Sequence, residues 1–410
     1  MAPMRLDTVS LLGLLAPLVL WGCADDLPGA EVGDSTGETE VGDSMGDSMG
    51  ESEVGETETG DGDGDGDSTG DGDGDGDPGP SNPLPDAPVG EWTYVEIDGM
   101  FCRDGSPAGI GVRYADNSDL LTIYMEGGGA CFNAFTCGFN PSSIPSAKFD
   151  PGPSGGLFNN QNPDNPMMDH NFIYMPYCTG DVFFGSETNG NVPGGPQGQM
   201  FVGHDNVILA LERITDTFPN LTSVVATGES GGGFGAAANY DTIASFFPDN
   251  DVILIDDSGP LFRDQYLAPC LQQQFRDVWN VDDSLPQDCS ACFGADGGGL
   301  SNYLTYIQNK YPDAAKGVIS SHADSTISSF FGFGSSDCNA LFPSFPEFEE
   351  ALYDMRDNVL TGPNSGTFFK TGTTHTYLSK DTYYNLTVNG VVLVDWVADL
   401  MNGTAAHVAP

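Results

Sequence analysis

The sequence predicts an α/β domain in which a mostly parallel β-sheet carries helices on both faces, and two observations support this expectation. From about Val89 onward, short apolar runs end in Gly, Asp or His, and segments with helical periodicity lie between them. Apolar runs without polar interruption suit strands buried on both faces. Strands alternating with helices suit parallel pairing, because a parallel neighbour is reached only through a crossover. The stretch is about 320 residues long, enough for one sizeable α/β core.

In chain order, strands are expected at 120–125, running into Glu126-Gly127-Gly128-Gly129, and at 171–175, running into Pro176. Further strands are expected at 222–226, before Thr227-Gly228, and at 252–255, before Asp256-Asp257-Ser258-Gly259. Two weaker runs lie at 317–320 and 366–369. Helix periodicity places Val207, Ile208, Leu211 and Ile214 on one face of 204–218. A second helix, 234–247, opens with small residues and continues with Ile243, Phe246 and Phe247. Segments 345–359 and 383–401 are further helices, the last with a strand-like opening, and no internal repeat is present.

Charge narrows the partners. The 410 residues hold 60 Asp+Glu and 12 Lys+Arg, a formal net charge of −48. Nucleic-acid phosphates and anionic membrane surfaces both demand counter-charge that this chain lacks, so no nucleic-acid partner is expected. Hydrophobic residues reach 39%, which excludes wholesale disorder. From Ala24 to Pro88 there are 21 acidic residues and no Lys or Arg, in blocks such as Asp61-Gly62-Asp63-Gly64. Such a segment buries too little apolar surface to offset its ordering entropy and reads as a self-repelling linker. Its Asp-Gly alternation lacks the bidentate Glu and fixed turn of a calcium loop, so no metal is expected there.

An export signal precedes the linker. Arg5 supplies a positive start, residues 11–20 an apolar stretch, and Leu20-Trp21-Gly22-Cys23 a cleavage site. The small residue before Cys23 resembles a bacterial lipobox, which would make Cys23 the lipidated first residue; an ordinary secretory peptide cut nearby is the alternative. The expected division is therefore a lipoprotein signal peptide at 1–22, a lipidated Cys and disordered acidic linker at 23–88, and the folded domain at 89–410. The expected location is the cell envelope, as an outer-membrane lipoprotein, or the extracellular space, with membrane contact only through the lipid at Cys23. The other eight cysteines form an even set, as in an exported disulfide framework. Cys131 with Cys137 suggests a local bridge, and Cys289-Ser290-Ala291-Cys292 a structural disulfide rather than half of a zinc site.

The strongest chemical signal is Gly228-Glu229-Ser230-Gly231-Gly232 between a strand and a helix, the pattern of a nucleophile elbow. The tight turn exposes a serine hydroxyl and aims a helix N-terminus at the reacting group. A base must follow Ser230 in the chain, which leaves His322, His375 and His407. His375 is favoured, in a small-residue loop just past a strand. Candidates for the acid are Asp256, Asp257 and Asp324; Asp324 is favoured because it follows the strand run immediately before that of His375, and Asp257 is the runner-up. Oxyanion donors are expected from the backbone of Gly127, Gly128, Gly129 and Gly231.

Four ordered motifs carry a family resemblance: Met125-Glu126-Gly127-Gly128-Gly129-Ala130-Cys131-Phe132-Asn133, Pro176-Tyr177-Cys178-Thr179-Gly180-Asp181, Ser230-Gly231-Gly232-Gly233 with Asn239-Tyr240-Asp241, and Asp257-Ser258-Gly259. Together they resemble the pectin acetylesterase and Notum-type carboxylesterases from about Leu120 to His375. The resemblance implies an α/β-hydrolase-like fold and serine-dependent, deacetylase-type hydrolysis of a small-molecule or glycan ester through an acyl-enzyme, with no cofactor. By position, its nucleophile falls on Ser230, its acid on Asp324, its base on His375 and its oxyanion glycines on 127–129. Two departures are expected to alter the acyl pocket. Gly129 and Ala130 stand where relatives carry an aromatic residue, and Glu229 stands where many carry a small one. With only 11 Lys+Arg outside the signal segment, the chain has little to grip a polyuronate. The alternatives are a non-catalytic surface or adhesion lipoprotein on the same scaffold, and a serine peptidase.

Overall fold

The computed structural model describes residues 81–145, 147–332 and 345–410. The lipobox-like segment with Cys23, the acidic linker up to residue 80 and Cys338 lie outside the described residues. Chain packing starts ahead of Val89: Asn82 N donates to Asp216 and Leu84 N to Thr217 Oγ1, with Leu84 only 4% exposed.

Two antiparallel strands open the fold, β1 (Thr93–Phe101) and β2 (Pro107–Arg113), followed by β3 (Leu120–Met125), a one-turn helix α1 (Ala134–Cys137) and β4 (Asn171–Met175). A short ribbon, β5 (Glu187–Gly190) and β6 (Gln199–Phe201), leads into α2 (Gly203–Thr217). Next come β7 (Ser223–Glu229), α3 (Gly231–Ala238), α4 (Tyr240–Phe246), β8 (Asp251–Asp257), α5 (Pro269–Trp279), α6 (Asn302–Lys310), β9 (Lys316–Ser321), α7 (Ser325–Phe331), α8 (Phe345–Asn358) and β10 (Ser365–Lys370). The chain ends with a hairpin of β11 (Thr387–Val388) and β12 (Val391–Val392), then α9 (Leu393–Met401) and β13 (His407–Val408). Nine strands form one sheet in the order β1-β2-β4-β3-β7-β8-β9-β10-β13. All its pairs from β4 to β13 are parallel, and the two antiparallel pairs sit at the β1 edge. The fold is α/β-hydrolase-like.

Alternation explains why the central strands read as continuous apolar runs. Val224 and Ala226 of β7 enter one core, and Val225 enters the other; Val252 and Leu254 of β8 oppose Ile253 and Ile255 in the same way. The larger core takes Leu211 of α2, Ile243 of α4, Phe275 of α5, Leu304 of α6 and Leu352 of α8. The opposite face is covered by Leu393, Trp396, Val397 and Leu400 of α9 with Phe158 and Tyr383. Helices thus cover both faces as expected, though most lie on one.

Two expected helices differ in detail. The 234–247 helix is two helices, because Asn239 breaks it at φ −96, ψ 7. Its side chain donates to Gly235 O, which also accepts the Asn239 amide, and to Phe183 O, and it meets His204 Nδ1, so the break is held by side-chain bonds to the neighbouring backbone. The 383–401 segment becomes helical only at Leu393, because Asn389 (φ 48) and Gly390 (φ 84) form a hairpin turn with both central residues at positive φ. Bridges join Cys102 to Cys178, Cys131 to Cys137 and Cys289 to Cys292, and Cys270 is disulfide-bonded as well. Among the described residues no helix is long and apolar enough to cross a membrane, and no group of three or more His, Cys, Asp or Glu could hold a metal ion.

Candidate active site

The C-terminal ends of β3, β7, β8, β9 and β10 lie side by side, the edge where open α/β sheets carry their sites. β7 delivers Ser230 into a turn with φ 57 and ψ −121, a conformation that costs a non-glycine residue roughly 1–3 kcal/mol. Main-chain bonds on both sides hold it there: Ser230 N donates to Asp257 O at 2.8 Å, and Phe234 N donates to Ser230 O at 3.1 Å. A Cβ on Gly232 would come within 1.9 Å of Met125 O, so the helix can follow the strand this closely only with glycine there.

β3 ends in the glycine loop beside the serine. Its carbonyls are pinned, Gly128 O by Asn140 Nδ2 at 2.8 Å and Gly129 O by the Tyr177 hydroxyl at 2.9 Å. The amides of Gly128, Gly129 and Gly231 have no acceptor among the described residues. Gly129 and Gly231 line a small pocket with Ser230, Val182, Phe234, Ile327, Phe330 and Phe331. Gly127 lies behind, where a Cβ would press on Ser230 Cβ at 2.9 Å, and Gly128 abuts Tyr177. Val182, Phe234 and Phe331 are shared with a second, larger pocket, whose walls include Phe184, Leu261, Phe275 and Trp279 and no charged side chain.

Asp324 and His375 meet. His375 Nδ1 lies 2.7 Å from Asp324 Oδ2, and the other carboxylate oxygen, Oδ1, accepts the Thr326 and Ile327 amides at the start of α7, both at 3.0 Å. Asp324 therefore caps a helix and orients the imidazole at once, fully buried. That bond sets Nδ1 as the donor and leaves Nε2 as the nitrogen able to accept a proton. Ser230 Oγ is not itself hydrogen-bonded to the ring. His322 instead meets Tyr353 and Glu349, and His407 meets Thr367.

Asp257, the runner-up acid, does not touch the His375 ring. Its Oδ2 accepts the amides of Tyr377 at 2.6 Å and Leu378 at 2.8 Å, and its Oδ1 accepts the Ser258 hydroxyl at 2.9 Å. Burial, then the nearby Glu229 charge, raises the Asp257 carboxyl well above the usual carboxylate range. Asp256 is raised to about 7 by burial while its Oδ1 accepts the Gly259 amide. Of the two departures expected at the acyl pocket, one is there and one is not. Gly129 lines the pocket at φ 81, and a Cβ on it would meet Phe330 Cζ at 2.7 Å, so Phe330 fills the space an aromatic residue at this position would need. The expectation for Glu229 is corrected: its carboxylate turns away from the pocket, to the Tyr124 hydroxyl at 2.9 Å and the Ser379 amide at 2.8 Å. Side chains alternate along a strand, so Glu229 and Ser230, one at the strand end and one on the turn, serve different regions.

The profile of the family described as Pectinacetylesterase matches residues 91–303. The chain belongs to that family. The match includes the glycine loop and Ser230 and ends ahead of Asp324 and His375. The chain is similar to the palmitoleoyl-protein carboxylesterase notum2 of Xenopus laevis, 30% identical over 156 residues, 36% of this chain and 30% of the relative. It is also 33% identical over 93 residues to the protein named inactive palmitoleoyl-protein carboxylesterase notum1b of Danio rerio, 21% of this chain and 67% of that one. Across the first two relatives the match spans 30–31% of their length. The structure of the Wnt deacylase Notum from Drosophila superposes with a TM-score of 0.61 at 20% identity, over 77% of this chain and 95% of that one, which shows a common fold.

Proposed function

We propose that this chain is a serine carboxylesterase. The reading rests on one coincidence: a strained serine at the wall of a pocket, next to free backbone amides, with an Asp–His pair on neighbouring strand ends. Ser230 Oγ attacks the ester carbonyl while His375 Nε2 takes its proton. Asp324 holds the tautomer and stabilises the imidazolium. The amides of Gly129 and Gly231, with Gly128 behind them, receive the oxyanion. The alcohol leaves with the proton from His375, and water then cleaves the acyl-enzyme with the same base.

The walls of both cavities are apolar, which supports a substrate whose acyl side is a hydrocarbon chain and whose alcohol side stays outside. The excess of acidic residues argues against a polyuronate as the alcohol portion. Export, with Cys23 lipidated and the acidic segment as a spacer, belongs to the same proposal and is supported by the disulfides. Short-chain p-nitrophenyl esters test the reading: Ser230→Ala should abolish turnover, and a variant as active as the parent would sink it. The relative named as inactive makes a non-catalytic scaffold the second reading; an inert parent chain would favour it.

A further inference from the structure

The loop that carries His375 is held from outside. It is not part of the sheet, and its conformation is strained, because Thr376, a β-branched residue, sits at φ 58 immediately after the base. Such a residue persists only where its surroundings over-determine it. Here four consecutive amides supply that constraint. Thr376 N donates to Ser258 Oγ at 3.3 Å, Tyr377 N and Leu378 N to Asp257 Oδ2, and Ser379 N to Glu229 Oε1 at 2.8 Å. Every acceptor is a side chain at or just past the end of β7 or β8, and Glu229 is the residue directly before the nucleophile.

We propose that Glu229 is a positioning residue for the base: it ties the His375 loop to the nucleophile elbow and so fixes the imidazole relative to Ser230. This rests on the esterase reading above. Glu229 is 6% exposed, has no cationic partner among the described residues, and spends both oxygens on fixed donors, Ser379 N and the Tyr124 hydroxyl. A buried carboxylate without a cation is costly and is retained only where its hydrogen bonds are needed. It does not line the substrate pocket, so it acts on the geometry of the reacting groups and not on binding. Removing it would leave the half-buried Ser379 amide at one end of the loop and the buried Tyr124 phenol on β3 unpaired, while Asp257 still held the middle of the loop.

The test is steady-state kinetics of the full chain on a p-nitrophenyl ester, with thermal unfolding of each variant. Glu229→Ala should lower kcat by roughly 10- to 100-fold with KM within about threefold of the parent, as expected of a misplaced base. Glu229→Gln keeps an acceptor for Ser379 N and a partner for Tyr124, and should recover kcat to within about threefold of the parent. Tyr124→Phe should lower kcat by a few-fold, and no further when combined with Glu229→Ala; it also serves should Glu229→Ala fail to fold. An unchanged kcat in Glu229→Ala, a loss confined to KM, a Gln variant as impaired as the Ala variant, or an unaffected Tyr124→Phe would each overturn the proposal. Ser230→Ala separates the two readings. Full activity there removes the esterase mechanism itself, whereas an inactive Ser230→Ala beside an unaffected Glu229→Ala removes only the positioning role.

Discussion

Ser230 stands between two unlike regions. On one side Val182, Phe234, Ile327, Phe330 and Phe331 make an apolar wall drawn from several separate elements. On the other, Asp324, Asp257, Ser258 and Glu229 hold His375 and the four residues after it through hydrogen bonds of 2.6–3.3 Å. Dispersion contacts are many and individually weak, so the apolar side can change shape and still close around a substrate. The base side has few bonds, directional and buried or half-buried, where losing an acceptor leaves an unpaired donor. The first region should therefore decide which ester is accepted and the second whether any ester is turned over.

The largest effect should come from the base side. Asp324→Asn offers the ring the wrong hydrogen-bonding partner and should cost roughly 10^3- to 10^4-fold in kcat. Asp257→Asn should cost far less, about 10- to 100-fold, because it touches the loop backbone and not the imidazole. Kinetics of the two purified variants decide the matter, and a larger loss in Asp257→Asn would reverse the contrast between ring and loop.

A smaller effect is expected on the apolar side. Leu261→Trp should narrow the larger cavity and shift the preference between octanoyl and acetyl esters toward acetyl by roughly tenfold, with acetyl kcat little changed. An equal loss on both esters would show that this cavity does not receive the acyl chain. The mildest effect is on stability. Burial pushes Asp181 up to about 6 and Asp256 up to about 7. These carboxyls stay neutral in the fold while the unfolded chain ionises near pH 4, so their contribution is complete below about pH 3.9 and lost as the pH rises toward 7. Tm should fall between pH 4.5 and 7.5, and Asp256→Asn should flatten that slope. A Tm that rises over this range would contradict the assignment.

How much of this was legible in the sequence follows the same division. The six central strands could be read because both of their faces are buried, as with Val224, Val225 and Ala226. The elbow could be read because its glycines cluster within a few residues of Ser230, although what excludes a side chain at Gly232 is the remote Met125 carbonyl. β1 and β2 carry no uninterrupted apolar run: glycines break β2, and β1 alternates, as in Thr93-Tyr94-Val95-Glu96-Ile97, the mark of a half-exposed edge strand. The role of Glu229 is not legible beside Ser230, because its partner Ser379 is 150 residues away. Phe330 against Gly129 joins residues still more remote in the chain, and neither carries a local pattern that announces the contact.

The most direct test of the central claim is covalent. The full chain would be treated with a fluorophosphonate that mimics the tetrahedral intermediate, then digested and examined by mass spectrometry. One adduct is predicted, on Ser230, formed rapidly in the parent and lost in His375→Ala. An active chain whose adduct falls on another residue, or whose Ser230 labels equally fast without His375, would contradict the account.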